Sequence, residues 1–422
     1  MNVSHKTKTT FVTSEGNGNH SPSFETMNHQ AATSGLDNNY SIKIGRSFQE
    51  IEALRDDLRE LEPYPTSSLE CFLTELSCKQ EEVKPYVILL SCNDRPETIL
   101  LGKIEHSKLE LKVGKKIILK PKVRSLTIDA KRILGHISPA NSVIINQELN
   151  KCLKQNIADV VLFQFLPITS NLYPLALTTR NSFVRDQFPD IMSCYRMTLF
   201  DSLDAFMATK KGKVRSQLRR IQRRLEENFP GKVVVKCFQD KNEITQFCRD
   251  AAEISQQSWQ FDIDRGFIDN DETRQILTIL AERNAFKGYI LYLDDKPCAF
   301  KGGVIHKNIF FGESIGYNVE YKKLSVGMAL LLRVIEDLSL EPDIQFIDFG
   351  PGDVDYKNLY CDLIWQVASF HMFPQSLKGR IFSLITRLSL LSDKYGKLLL
   401  SQLQSNDKWL TLKAKLQSKS EV

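Results

Sequence analysis

The chain has 422 residues, 42% of them hydrophobic and 25% charged, with a net charge of +5. The length exceeds one ordinary domain and predicts two plus appendages, and the composition excludes a disordered or membrane-embedded chain. So mild a charge implies no polyanion by itself, and any basic partner surface must be local.

Nine cysteines lie singly at 71, 78, 92, 152, 194, 237, 248, 298 and 361, with no C-x-x-C pair. That pattern predicts reduced thiols in a cytoplasmic protein, with no disulfide framework and no metal cluster. The N-terminus lacks the apolar stretch of a secretory signal, and no uncharged apolar run of about 18 residues predicts a membrane span.

In chain order, residues 1–45 read as a disordered tail, rich in Ser, Thr, Asn, Gly and His. A helix follows from Ser47, with Ile51, Leu54, Leu58 and Leu61 at helical spacing and Pro63 and Pro65 ending it. A second helix, "TSSLECFLTELSCKQ", has Thr66 or Ser67 as its N-cap. The strands "PYVILLSC", "TILLGKIEH", "KLELKVG" and "KKIILKP" come next, separated by the turns "NDRPE" and "VGKK". "SVIINQELNKCLKQN" reads as a helix and "ADVVLFQFLP" as a buried strand. Residues 46–200 therefore form a mixed α/β unit.

Residues 201–375 form a second unit. It runs through a helix near Asp201, a basic helix after Gly212, the strand "GKVVVKCF" and two long helices. Three strands follow, "GYILYLDD", "KPCAFKGGVIH" and "KNIFFGESIGYN", then the helix "SVGMALLLRVIEDLSLE" and the strands "DIQFIDFG" and "LIWQVASFHMF". This order predicts a mixed, largely antiparallel sheet with flanking helices, not a doubly wound one. The first unit reads as a worn copy of the same plan. Residues 376–422 are helical and basic, with Leu377, Ile381, Leu384, Ile385 and Leu388 in one apolar stripe. Such a helix either docks on its own domain or lies on a membrane surface.

Three stretches carry chemistry. In "YKKLSVGMA" a glycine opens the helix, where the first backbone N–H groups lack intrahelical partners and favour an anion such as phosphate. Gly327 keeps no side chain in the way, and Lys322 and Lys323 add positive charge. In "IDFGPGDVDYKNLYC" a Gly-rich loop after a strand presents Asp353, Asp355, Tyr356 and Lys357 beside that turn. Carboxylates there would meet a cationic amine, and a tyrosine would protonate a departing thiolate. In "KKGKVRSQLRRIQRRLEEN" Val214, Leu218, Ile221 and Leu225 form a buried stripe and the basic residues fan outward. That face suits a polyanion or a solvated surface, and no interleaved aromatics point to single-stranded bases.

The strand, glycine turn, helix and strand resemble the coenzyme A-binding core of the GNAT superfamily of acyltransferases. The loop narrows the resemblance to its CelD/BcsL branch, associated with cellulose biosynthesis. The matching residues are Tyr321, Ser325, Gly327, Leu330 and Leu331, then Asp348, Gly352, Asp353, Tyr356 and Lys357. Where the superfamily carries Arg or Gln three residues before the first glycine, this chain has Leu324, with Lys323 beside it.

The resemblance implies two GNAT-like halves in tandem and acetyl-CoA or another acyl-CoA as cofactor, held by Lys323, Ser325, Val326, Gly327, Met328 and Ala329. Asp348, Asp353 and Lys357 are expected at the substrate, a small molecule or saccharide, with Tyr356 as acid, and in the basic helix Arg215 is expected nearest the site, on a cofactor-side or substrate-side wall. Glu313 is the expected base: the alternation Phe311–Glu313–Ile315 gives it apolar neighbours, which would raise its pKa. The expected activity is N- or O-acetyl transfer in a cytoplasmic enzyme of polysaccharide biosynthesis. The alternatives are a Fem-like transferase using aminoacyl-tRNA and a non-catalytic scaffold at the membrane surface.

Overall fold

The computed structural model describes residues 40–404, apart from 80–81, 110, 114–115, 179–185, 187–188, 259–260 and 262–265. The readings made for residues 1–39 and 405–422 lie outside the described residues.

Among these residues the strands are β1 (Tyr40–Gly45), β2 (Val83–Cys92), β3 (Arg95–Lys108), β4 (Leu111–Val113), β5 (Lys116–Leu119), β6 (Lys122–Asp129), β7 (Ile133–Gly135) and β8 (Val160–Pro167). They continue as β9 (Asp190–Thr198), β10 (Val233–Phe238), β11 (Phe286–Leu293), β12 (Lys296–His306), β13 (Ile309–Tyr317), β14 (Phe346–Pro351) and β15 (Leu363–Met372). A single sheet runs β1-β2-β3-β6-β8-β15-β9-β14-β13-β12-β11-β10, with β7 beside β3; β4 and β5 pair separately. The turns follow the residues that tolerate positive φ: Asn93-Asp94 joins β2 to β3 and Asp294-Asp295 joins β11 to β12.

The sheet repeats one plan. In the first half β1, β2, β3 and β6 are antiparallel, and β6 then runs parallel to β8. The helix Pro139–Lys154 makes that crossover, capped by Ser138. In the second half β10 to β13 are antiparallel and β13 runs parallel to β14, with the helix Val326–Ser339 crossing between them. Each half then takes its next strand from the other. β9 follows β8 in the chain but pairs with β14, whereas β15 follows β14 but pairs with β8. The two exchanged strands pair with each other and close the sheet.

The fold class matches expectation: mixed α/β, mostly antiparallel, two halves of one plan. Several elements differ. β1 falls inside the expected tail, because Ile42 and Ile44 pack on the core beside β2. β6 and β9 were not anticipated. In β6 the buried Ser125 and Thr127 break the apolar signal, and β9 is a short mixed segment that the exchange buries. The helix Leu69–Cys78 begins after Ser68, because Pro65–Ser67 form a 3-10 turn. The stripe on the helix Leu377–Gln404 is split: Phe382 and Ile385 dock against Leu109, Val123, Val160 and Phe373, while Leu377, Ile381, Leu384 and Leu388 are exposed. All nine cysteines are free thiols. No described helix is long and apolar enough to cross a membrane.

Two halves that share their central strands cannot lose one sheet without the other. Scanning calorimetry of the full chain is therefore expected to show one cooperative transition. Two well-separated transitions would mean that the exchange does not couple them.

Candidate active site

Parallel pairing of β13 with β14 covers only Ile309–Phe311 against Phe346–Asp348. Past that point each strand carries an extra residue relative to its other neighbour. Against β12 the register steps from Gly302↔Ser314 to Gly303↔Gly312, which leaves Glu313 as the extra residue. Against β9 it steps from Asp348↔Arg196 to Gly350↔Tyr195, which leaves Phe349. Bulges bend strands and re-aim side chains. The two strands part here, and a cavity of about 1410 Å³ opens on this fork, lined by Thr127, Asp129, Lys131 and Arg132 from the first half, and by Arg196, Lys301, Glu313, Asp348, Tyr356 and Lys357.

Asp348, the last paired residue of β14, holds the fork. Its Oδ2 accepts from Arg196 Nε at 3.1 Å and Nη2 at 2.9 Å, and its Oδ1 accepts from the Gly350 amide at 2.8 Å. The Arg196 guanidinium also lies 4.8 Å from the Trp365 ring and 5.7 Å from that of Phe311. Both oxygens of Asp348, a residue expected at the substrate, are thus engaged by the protein while it lines the cavity.

Two buried lysines face the same cavity. Lys357 donates to the carbonyls of Gly350 at 3.2 Å and Pro351 at 3.0 Å, which ties the Gly-rich loop back on itself. Burial pushes its pKa down. Lys301 is 3% exposed, with its Nζ 5.2 Å from the centre of the Phe349 ring. Its pKa is pushed down to about 8 by burial, then by the charge of Lys357, against the pull of Asp348 and Cys361. Tyr356 lines the cavity between the rings of Phe349 and Tyr360, and burial pushes its hydroxyl up to about 12, so it is protonated at neutral pH. The Cys361 thiol is also pushed up to about 12 by burial, which removes it as a nucleophile.

Glu313 is in the cavity wall, but its neighbours are not the apolar ones expected. The bulge interrupts the alternation at Glu313, and the first half supplies its partners. Tyr64 donates to Oε1 at 2.5 Å and Lys131 to the same oxygen at 2.6 Å. Burial, reinforced by the Glu313 charge, raises the Tyr64 pKa. Nearby Asp129 ends β6 and accepts from the Lys131 amide at 2.8 Å; burial raises its pKa above the ordinary carboxylate range.

The glycine turn lies next to the cavity, not in its wall. Ser325 has φ 57°, and its carbonyl accepts from the amides of Met328 and Ala329 at 3.0 Å. Those two donors, expected to be open, are therefore occupied. The amides of Val326 and Gly327 have no protein acceptor among the described residues. A Cβ on Gly327 would meet nothing closer than Tyr317 Cδ1 at 3.4 Å, and Tyr317 itself lines the cavity. Lys323 is exposed above this turn. The basic helix Gly212–Asn228 packs against the helix Val326–Ser339 and the 3-10 turn Val319–Leu324. Its Leu218 and Leu225 are buried, and Arg215 is half-buried with no carboxylate partner among the described residues. Arg215 and Asp353 do not line the cavity; Asp353 instead accepts from the Tyr195 hydroxyl at 2.5 Å.

The structure thus brings Glu313, Asp348, Tyr356 and Lys357 to one cavity, with Ser325 to Ala329 adjoining it. Tyr64, Asp129, Lys131, Arg196 and Lys301 were missed. The signal for the last two was available: each is a lone cation inside an otherwise uncharged strand segment, "CYRMT" and "CAFKGG".

Replacing Asp348 with Asn leaves the Arg196 guanidinium, whose side chain is 23% exposed, without its counter-charge. Asp348→Asn is expected to cost about 3 kcal/mol in denaturant unfolding. A loss near zero would show that the pair does not hold the fork.

Comparison with known proteins places the site in context. Residues 212–358 match the family model described as an acetyltransferase (GNAT) domain. FemX is similar in structure at 11% identity, covering 82% of this chain and 100% of that one, with a TM-score of 0.50. Two other solved structures are a tandem GNAT protein from the clavulanic acid biosynthesis pathway (8% identity, 78% and 98% covered, TM-score 0.42) and L-PGS from Bacillus licheniformis (15%, 78% and 97%, 0.40). No curated protein matches the chain. The stretch from the basic helix to the Gly-rich loop is thus similar to a GNAT acetyltransferase domain, and the fold as a whole is similar to that of FemX.

Proposed function

We propose that the protein is an acyltransferase that moves an acyl group, in the simplest case acetyl, from a CoA thioester to an amine or sugar-type hydroxyl held in the cavity. The observation that carries this reading is the unpartnered amide of half-buried Gly327 at a helix start, beside a cavity that opens where β13 and β14 part; the Val326 amide next to it is unpartnered too, but that residue is fully buried. A diphosphate fits the local chemistry: a free N–H donor at a helix start, no Cβ at Gly327, and Lys323 and Arg215 as cations without a carboxylate partner among the described residues. Bound acyl-CoA would supply the activated carbonyl.

The remaining roles belong to side chains in the cavity wall. Glu313, poised on its bulge between Tyr64 and Lys131, takes a proton from the acceptor. Asp129 is the second carboxylate placed to do so. Tyr356 donates to the departing thiolate, since its hydroxyl is protonated at neutral pH. Lys357 sets the loop that presents Tyr356, and Asp348 and Arg196 fix the fork. The Tyr321–Lys357 motif residues support a CelD/BcsL-like, polysaccharide-linked acceptor, and the nine free cysteines support a cytoplasmic setting.

A second reading has one observation in its favour. Arg215, Arg219, Arg220 and Arg224 have no carboxylate partner among the described residues, a face that would suit the tRNA of an aminoacyl-tRNA donor. In either reading the exposed Leu377, Ile381, Leu384 and Leu388 offer peripheral membrane contact.

Isothermal titration with acetyl-CoA is expected to give micromolar binding. Gly327→Glu should abolish it with the fold intact, because the turn has room for a Cβ but not for a carboxylate in the phosphate path. Unchanged affinity would discredit the cradle, and activity that requires aminoacyl-tRNA would favour the second reading. Tyr356→Phe should lower kcat by about 10²-fold with little change in KM, the usual scale for a lost general acid; an unaltered rate would assign the proton to another group.

A further inference from the structure

Lys301 is not explained by the roles above. Its ammonium is carried on β12 across Gly312, where a Cβ would lie 2.5 Å from Nζ. Gly312 is the first residue of β13 beyond its pairing with β14, and Phe349, whose ring faces the amine, is the first such residue of β14. The amine therefore sits at the apex of the fork. The neighbouring acid, Asp348, gives both oxygens to Arg196 and Gly350. Lys357 is 5% exposed and bonds only to neutral carbonyls. Among the described side chains neither lysine has a carboxylate within ion-pair distance, and Lys301 has no hydrogen-bond acceptor. A buried cation without a counter-charge is costly, and proteins keep such groups where a ligand completes them.

We propose that the apex of the β13–β14 fork is an anion-recognition site, in which Lys301, with Lys357 beside it, binds a carboxylate or phosphoryl group carried by the substrate. This deepens the acyl-transfer reading and rests on it for the word substrate: the molecule in the cavity is anionic, not a neutral amine or sugar. Lys301 supplies the charge that the anion meets, and Gly312 supplies the space through which the side chain reaches it. Arg196 is excluded as the main contact because Asp348 already satisfies it.

The experiment needs no acyl donor, so its outcome is independent of whether CoA binds. Thermal unfolding of the full chain is followed with added malonate or inorganic phosphate, against chloride at equal ionic strength. One of the two anions is expected to raise the Tm by about 2 °C at tenfold excess over its Kd. The arm that responds identifies the source as carboxylate or phosphoryl. Lys301→Met should abolish the response and have a Tm at or above wild type without ligand, since it removes an uncompensated charge. The gap should close as pH climbs from 8 toward 10. There the unfolded lysine, with an ordinary pKa near 10.4, still binds its proton and the folded one does not, so wild-type stability gains with pH. If the Met variant does not fold, Lys301→Gln serves for the same readings. No anion-specific shift in wild type, or a shift retained in the variant, would overturn the proposal.

Discussion

The ion pair between Arg196 and Asp348 is the constraint on which the site depends. It stands at the last paired residue of β14, joins that strand to one contributed by the other half, and stacks its guanidinium on Trp365 of the second exchanged strand. Beyond it β13 and β14 no longer pair, since Phe349 and Glu313 are bulged and the two parallel strands diverge. A sheet that ends its pairing in mid-strand leaves backbone donors and acceptors open inside the protein, which is where a ligand can complete the hydrogen bonding.

The exchange of β9 and β15 explains why residues far apart in sequence share one cavity. Tyr64 and Lys131 come from the first half and converge on Glu313 of the second. Neither half alone assembles that trio. The first half has its own parallel pair, β6 and β8, but its open face carries Thr127, Asp129 and Arg132 toward the same space instead of forming a separate site. The duplication has thus been spent on one asymmetric centre: the second half brings the glycine turn and the Gly-rich loop, and the first half supplies a wall of charged side chains.

Much of this was legible in the residues. The three hairpin strands before the glycine turn, the helix with its apolar run and the loop after β14 all follow from local periodicity and turn chemistry, and the structure has them in that order. Glu313, Asp348, Tyr356 and Lys357 could be placed together because they flank elements that are consecutive in the chain. What could not be read were contacts made by exchange. β9 is a short mixed segment with no strong alternation, and only pairing with β14 and β15 makes it a central strand. Glu313 seemed to have apolar neighbours because a bulge cannot be seen in a two-residue period. The glycine turn was anticipated, but the Ser325 carbonyl that accepts from the Met328 and Ala329 amides was not.

The acyl-transfer reading depends on the helix start at Gly327 gripping a diphosphate at the edge of the forked sheet. A crystal structure of the full chain grown with CoA tests it most directly. The expected result is the diphosphate within hydrogen-bonding distance of the Gly327 amide, with the pantetheine arm running past Tyr317 toward the fork. Well-defined CoA bound at any other place, with the Gly327 amide left without a ligand, would contradict it.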